Sequence, residues 1–230
     1  MIDQTQPSLE ANDGTRHDAE RGAFIVLEGI EGVGKTTQMA VAQRALEQAG
    51  KALVCTREPG GTAAGEALRS VLLDKDGAPL SLEAETLLMF AARANHLHEK
   101  IRPALNRGDW VLCDRFTDAS YAYQGAGRQL GVARIAVLEK WVQAELRPDL
   151  VIVLDADPEL ALTRAKNRGP VDRFEQESLD FFHRARQVYL DRAKDHPERY
   201  AVIDASMSLE DVTAAVEATV SGFARQWGVS

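Results

Sequence analysis

Three things are scarce in this 230-residue chain, and each scarcity narrows what it can be. Positive charge is the first. Lys and Arg number 27 against 35 Asp and Glu, a formal net charge of −8. That weighs against sequence-independent binding to a nucleic acid polymer, which needs a basic surface. Cysteine is the second. Cys55 and Cys113 each sit in a strand-like apolar run, and they read as small core residues of a reducing, cytoplasmic compartment, not as a disulfide. No His or third Cys stands at ligand spacing to make a metal pair. Long apolar runs are the third. None approaches the roughly 20 residues of a membrane span, so no membrane partner is expected. Residues 1–21 are polar and carry no apolar segment of the secretory kind. They read as a disordered extension ahead of a single domain at 22–230. No internal repeat or low-complexity segment interrupts that domain. Its composition, 45% hydrophobic over the chain, supports a sizeable core.

Against that background one stretch stands out. Gly29, Ile30, Glu31, Gly32, Val33, Gly34, Lys35 and Thr36 fit the pattern G-x-x-x-x-G-K-S/T without mismatch, with Thr37 adjoining. The apolar run Ala23–Leu27 before it reads as a buried strand. The stretch after it, to Ala49, reads as a helix. Glycines let backbone N–H groups converge on a phosphate with no Cβ in the way. The helix directs its positive end to the same point. Lys35 reaches the outer phosphates of a nucleotide, and Thr36 offers a hydroxyl to Mg²⁺. The expectation is a nucleoside triphosphate site.

Strand and helix signals then alternate. Further strands are expected at Lys51–Thr56, Asp109–Asp114, Pro148–Asp155 and Tyr200–Asp204. A long helix with Ser81 as its cap is expected to run to about Asn106, with Pro103 kinking it or ending it early. Gln124 to Arg128 reads as a loop, and helices are expected at 132–146, 176–195 and 208–227. Strands joined by crossover helices imply a five-stranded parallel sheet flanked by helices, an α/β fold of the phosphate-loop nucleotide-kinase architecture, with its site beyond the strands' carboxyl ends.

Several further segments occur in order: Thr56-Arg-Glu-Pro-Gly-Gly-Thr62, Phe90-Ala-Ala-Arg93, Asp114-Arg-Phe116, Ala122-Tyr-Gln-Gly125 and Asp172-Arg-Phe-Glu175. With the phosphate loop, they make the chain from about 23 to 227 resemble thymidylate kinase of the bacterial type. The resemblance implies transfer of the γ-phosphoryl group of ATP to dTMP, with Mg²⁺, by a cytoplasmic homodimer.

Phosphoryl transfer needs two anionic groups brought in line and their charge neutralised. Arg57 follows strand two and Arg115 strand three, so both face the carboxyl edge of the sheet. The resemblance makes them clamps on the acceptor phosphate, a task suited to planar guanidiniums; the alternative is pairing with Glu58 or Asp114. Asp114 either holds Mg²⁺ through water or orients Arg115. Asp155 is a second strand-end acid, or caps the turn after it. Glu31, in the family, contacts the deoxyribose 3′-hydroxyl and orders the site. Glu28 reads as structural, accepting hydrogen bonds below the loop.

The basic segment 164–174 resembles a lid, carrying Arg164, Lys166, Arg168 and Arg173. The phosphate loop has no arginine of its own, so a lid arginine is expected as the catalytic cation, Arg168 first and Arg164 second. The alternative is a solvated helix end. Arg93, Ser120 and Gln124 are expected to read the thymine edge, and Tyr123 to pack against the sugar and leave no room for a 2′-hydroxyl. The family's stacking Phe, four residues before the arginine, is here Met89. Either Met89 makes the apolar contact or Phe90 takes it over. His96 and His98 are placed beside the long helix's polar face, and Trp141 and Trp227 suit core or subunit contacts. Rival readings are a kinase of another nucleotide or nucleoside and a nucleotide switch. Two arginines favour an anionic acceptor over a neutral hydroxyl, which needs a carboxylate base. A guanine switch would carry Asn-Lys-x-Asp, which the chain lacks.

Overall fold

The computed structural model describes residues 21–166, 173, 174 and 176–227. Five strands, β1 (Phe24–Glu28), β2 (Leu53–Arg57), β3 (Trp110–Asp114), β4 (Leu150–Asp155) and β5 (Tyr200–Asp204), form one parallel sheet in the order β2-β3-β1-β4-β5. The central strand β1 is buried along its whole length, as a strand covered on both faces must be. Its side chains alternate. Phe24 and Val26 join Val111, Cys113, Leu97, Ile101 and Leu105 on one face. Ile25 and Leu27 join Leu112 on the other, under Val41, Ala45 and Leu46 of α1 (Lys35–Gln48) and Val212, Val216 and Val220 of α9 (Leu209–Gln226). Each such fully buried side chain contributes about 1.5–3 kcal/mol.

The remaining helices are α2 (Ala63–Leu73), α3 (Leu82–His96), α4 (Arg102–Asn106), α5 (Thr117–Ser120), α6 (Val132–Gln143), α7 (Pro158–Lys166) and α8 (Leu179–Asp195). Thr62, Ser81, Ser178 and Ser208 cap α2, α3, α8 and α9 with side-chain oxygens. Helix α1 is different. Its cap is Gly34, which supplies no side-chain acceptor, so the first N–H groups of α1 stay available to a ligand.

Four expectations change. The long helix ends at Asn106 as expected, but it is not one regular α-helix: a wide helical turn at Leu97–Ile101 links α3 to α4 and accommodates the missing proline N–H. Gln124 to Arg128 is not a plain loop but lies mostly within a wide helical segment, Tyr121–Gly127. Its glycine serves packing, since a Cβ on Gly127 would stand 2.4 Å from the Phe181 ring of α8. Cys55 is exposed, because β2 is an edge strand; only Cys113 is core. His96 is fully buried, held between Thr56 Oγ1 at 2.7 Å and Glu58 Oε1 at 3.0 Å. Among the described residues no helix is long and apolar enough to cross a membrane, and no His, Cys, Asp and Glu cluster suits a metal.

Candidate active site

The carboxyl ends of β1, β2 and β3 lie side by side, Arg57 opposite Asp114 and Asp114 opposite Leu27. The loops after them therefore open onto one place. The phosphate loop follows β1 with Gly29, Gly32 and Gly34 at φ 135°, 79° and 93°, a region an L side chain resists. Lys35 lies buried across the loop, its Nζ donating to Gly29 O at 2.9 Å and Ile30 O at 2.8 Å. Burial, with Arg115 close by, lowers its pKa to about 8; the carboxylates of Glu31, Asp114 and Glu28 oppose the shift. Thr36 and Thr37 are exposed at the start of α1.

Beside the loop is a cleft of about 110 Å³ whose walls include Glu31, Arg57, Arg69, Met89, Arg93, Asp114, Arg115, Ser120, Tyr123, Gln124 and Phe174. Arg115 joins loop and cleft. It has a positive φ of 66°. Its guanidinium donates to Gly29 O and Tyr123 Oη, both at 3.0 Å, and to Glu31 Oε1 at 2.7 Å, while the Tyr123 hydroxyl donates to the other Glu31 oxygen. Arg57 reaches Glu66 at 2.8 Å, and both side chains are about half exposed. Neither arginine pairs with Glu58 or Asp114. Arg93 is held from three sides: Nε to Glu58 at 2.7 Å, Nη2 to Phe116 O and to Ser120 Oγ at 3.0 Å each. Its buried Nη1 has no hydrogen-bond partner among the described residues.

Glu28 sits beneath the loop, fully buried, accepting from the Phe116 N–H at 2.7 Å and the Tyr189 hydroxyl at 3.0 Å. Burial, then the charge of Asp118, raises its pKa to about 7, against the pull of Arg115. A larger polar cavity, about 310 Å³, lies behind it. There Arg192 already pairs with Asp118, and Arg147 with Glu139.

Met89 is a wall of the cleft and Phe90 is not. One helical step turns Phe90 about 100° away, into a cluster with Tyr121 and Ile135 where its ring lies 4.6 Å from the Arg93 guanidinium. Arg164 is not brought to the cleft either: it donates to Ala205 O after β5, at 2.6 Å. Arg168 lies outside the described residues. Asp155 makes a two-pronged pair with Arg186 at 2.7 and 2.9 Å and is occupied by it. Trp141 is 78% exposed, whereas Trp227 packs on Trp110 and Phe223.

Sequence reasoning passed over three residues and gave a fourth, Glu58, the wrong partner. Glu58 fixes Arg93 and His96. Arg69 lines the cleft. Glu85, buried on α3, gathers Gln124, Arg128 and Arg173. Arg128 also pairs with Glu177 at 2.6 Å. The one signal that pointed at Glu58 was its place within Arg-Glu-Pro-Gly-Gly; for Glu85, first-turn acids on helices are ordinary.

Magnesium takes oxygen donors and keeps much of its water. The exposed Thr36 hydroxyl and the Asp114 carboxylate, whose buried Oδ1 has no hydrogen-bond partner among the described residues, fit that donor set.

Residues 27–216 match the family model described as thymidylate kinase. A thymidylate kinase of Nitrosospira multiformis is 52% identical over 201 residues, covering 87% of this chain and 98% of that protein. One from Pseudomonas entomophila is 53% identical over 201 residues, covering 87% and 96%. The crystal structure of thymidylate kinase from Ehrlichia chaffeensis superposes with a TM-score of 0.70 at 32% identity, covering 87% of this chain and 98% of that one.

Proposed function

This chain belongs to the thymidylate kinase family, and from that premise we propose a residue-level account of how it moves the γ-phosphoryl group of ATP to dTMP, giving ADP and dTDP. The observation that carries the account is Arg115, which touches the phosphate loop at Gly29 O and the acceptor cleft at Tyr123 within one side chain. It lies where donor and acceptor phosphates would meet.

In this reading Gly29 to Gly34 and the open N-terminus of α1 cradle the ATP phosphates, with Thr37 at the rim. Lys35 gives up its two carbonyl partners to neutralise the outer phosphates. Arg57 leaves its exposed pair with Glu66, worth less than about 1 kcal/mol, for the dTMP phosphate. Arg115 stays in place and spans both anions, so charge developing on the transferring group meets a fixed cation. Glu31 orients Arg115 and Tyr123 and presents a carboxylate to the sugar. Tyr123 stands against C2′, Met89 against the base, and Arg93, Ser120 and Gln124 against its polar edge. Thr36 and Asp114 would hold Mg²⁺, which supplies charge neutralisation at the phosphate oxygens. Arg168 remains the lid cation of choice.

We also propose a homodimer through α3 and α6. Leu87, Val137 and Trp141 are 53%, 68% and 78% exposed, and Leu87 and Val137 share an apolar groove with Leu130 and Leu138. Sedimentation of Val137→Lys against wild type tests it; an unchanged dimer moves the interface elsewhere, and a wild-type monomer removes it.

The test of the whole reading is ADP release from Mg·ATP with dTMP, dUMP, UMP, dCMP and AMP offered singly. Turnover led by dTMP supports it. Preference for another monophosphate overturns the base-reading assignments while leaving the phosphate loop and arginine clamps in place.

A further inference from the structure

Glu85 is an odd residue to bury. It lies in the first turn of α3, 1% exposed, with no part in holding either phosphate. Its Oε1 accepts from Gln124 Nε2 at 2.9 Å and Arg128 Nε at 3.1 Å. Its Oε2 stands 3.1 Å from Arg173 Nη2, held by charge without an aligned hydrogen bond. A carboxylate has only acceptors to offer. The Gln124 amide can meet it only with its NH₂, so the carbonyl Oε1 is left on the other branch, on a side chain that lines the cleft. An amide with no fixed neighbour is free to present either face; this one is not.

The orientation has a chemical consequence. Two walls of the cleft then bring opposite groups to the base: Gln124 an acceptor, and Arg93 a buried Nη1 donor with no hydrogen-bond partner among the described residues. A thymine-type edge pairs an imide N–H donor with a carbonyl acceptor and matches both. A cytosine-type edge carries an acceptor at N3 and an amino donor beside it and opposes both. Turning the Gln124 amide over would reverse the preference at N3.

We propose that Glu85 is the positioning residue for base selection: by holding Gln124 Nε2 it aims the Gln124 carbonyl at an imide N–H, and so admits thymine-type and rejects cytosine-type bases. Arg128 and Arg173 balance its charge, and neighbouring Phe174 reaches the same cleft wall. This inference rests on the assignment of Gln124 to the base edge made above.

The experiment compares kcat/KM for dTMP, dUMP and dCMP in wild type, Glu85→Gln and Gln124→Leu, with KM for ATP and thermal melting alongside. Glu85→Gln keeps the shape but can face Gln124 with either a donor or an acceptor. The dTMP-to-dCMP ratio is expected to fall about 10–100-fold, while the dTMP-to-dUMP ratio, between two imides, and KM for ATP stay put. An equal loss for dTMP and dCMP, or an unchanged ratio, overturns the proposal. Gln124→Leu separates the levels. If it collapses the ratio and Glu85→Gln does not, only the role of Glu85 fails; if it leaves the ratio intact, Gln124 does not read the base and both readings fail. Should Glu85→Gln fail to fold, the wild-type protein decides by NMR. The Gln124 side-chain NH₂ is expected to exchange slowly with solvent and to keep its shift when dTMP binds. Fast exchange, or a shift showing that the NH₂ bonds the base, overturns the proposal.

Discussion

Gly32 and Gly34 allow a steric argument to be separated from a conformational one. They stand two residues apart, at φ 79° and 93°. Alanine in either position meets a similar backbone penalty, about 1–2 kcal/mol. What the added methyl meets is different. At Gly32 it falls 1.8 Å from Ala161 O in α7, and at Gly34 it finds nothing within 4 Å. The colliding atom is backbone, so the loop and α7 must part by about 1 Å, an overpacking that costs about 1–3 kcal/mol more. Gly34→Ala is therefore expected to lose about 1–2 kcal/mol and Gly32→Ala about 2–5. At about 2–4 °C per kcal/mol for a chain of this size, the two melting temperatures should differ by about 2–12 °C. Calorimetry without nucleotide measures this, since turnover suffers in both variants. Ala161→Gly leaves the carbonyl in place and should not rescue Gly32→Ala. Equal melting of the two single variants, or a lower value for Gly34→Ala, refutes the contact between the phosphate loop and α7.

Arg57→Ala should change stability by less than about 1 kcal/mol, because its one pair among the described residues is exposed, yet lower kcat/KM for dTMP about 10–100-fold; an unaffected kcat/KM leaves Arg57 as surface charge. Glu28, with its pKa raised to about 7 from 4.5, binds its proton more tightly folded than unfolded. The stability it confers is complete below pH 4.5 and is lost as pH rises through 7, a decline of up to about 3 kcal/mol. Glu28→Gln removes that decline, so the melting temperature of the variant minus that of wild type should become more positive from pH 5 to pH 8, and a constant difference rules the effect out. Lys35, lowered to about 8, is charged below that pH and neutral above it. For free enzyme, kcat/KM for ATP should fall about tenfold per pH unit beyond 8; a profile level to pH 9.5 contradicts a buried Lys35.

What could be read from the residues and what could not divide along a physical line. Strand β1 and the phosphate loop are local: a run of five apolar-to-acid residues, then glycines at fixed spacing, then a helix. So is the cap at Ser81. Cys55 was misjudged because burial in a strand depends on its rank in the sheet, and β2 became an edge only through the order β2-β3-β1-β4-β5. The helix across Pro103 depended on packing as well: Leu97, Ile101, Ala104 and Leu105 bury against β1 and β3, and a wide turn is a small concession against that much apolar area. Met89 and Phe90 differ by one helical step, finer than a pattern can resolve. Glu85 was invisible for a different reason. Its partners lie 39, 43 and 88 positions away, and a buried acid is recognisable only once its cations are in place.

The sheet itself explains why arginines on loops can serve as fixed cations. The hydrogen-bond ladder does not end where the strands end. The Arg115 N–H reaches Leu27 O at 2.9 Å, the Glu58 N–H reaches Asp114 O at 3.0 Å, and the Ala205 N–H reaches Asp155 O at 2.7 Å. Each is the first residue past its strand, still tied to the neighbouring strand. Arg115 thus holds its left-handed backbone with a ladder bond behind it, and its guanidinium, spread over Gly29 O, Glu31 and Tyr123, has little freedom left. Arg57 ends β2 with its backbone in register opposite Asp114, but among the described residues its side chain is held by an exposed pair with Glu66 alone. A cation fixed by the sheet costs no reorganisation when charge develops beside it, whereas one on a free side chain must be ordered by its ligand. The asymmetry divides the work proposed for the two arginines: with Arg57 capturing the acceptor and Arg115 serving the transfer step, loss of Arg57 is expected mainly in KM and loss of Arg115 mainly in kcat.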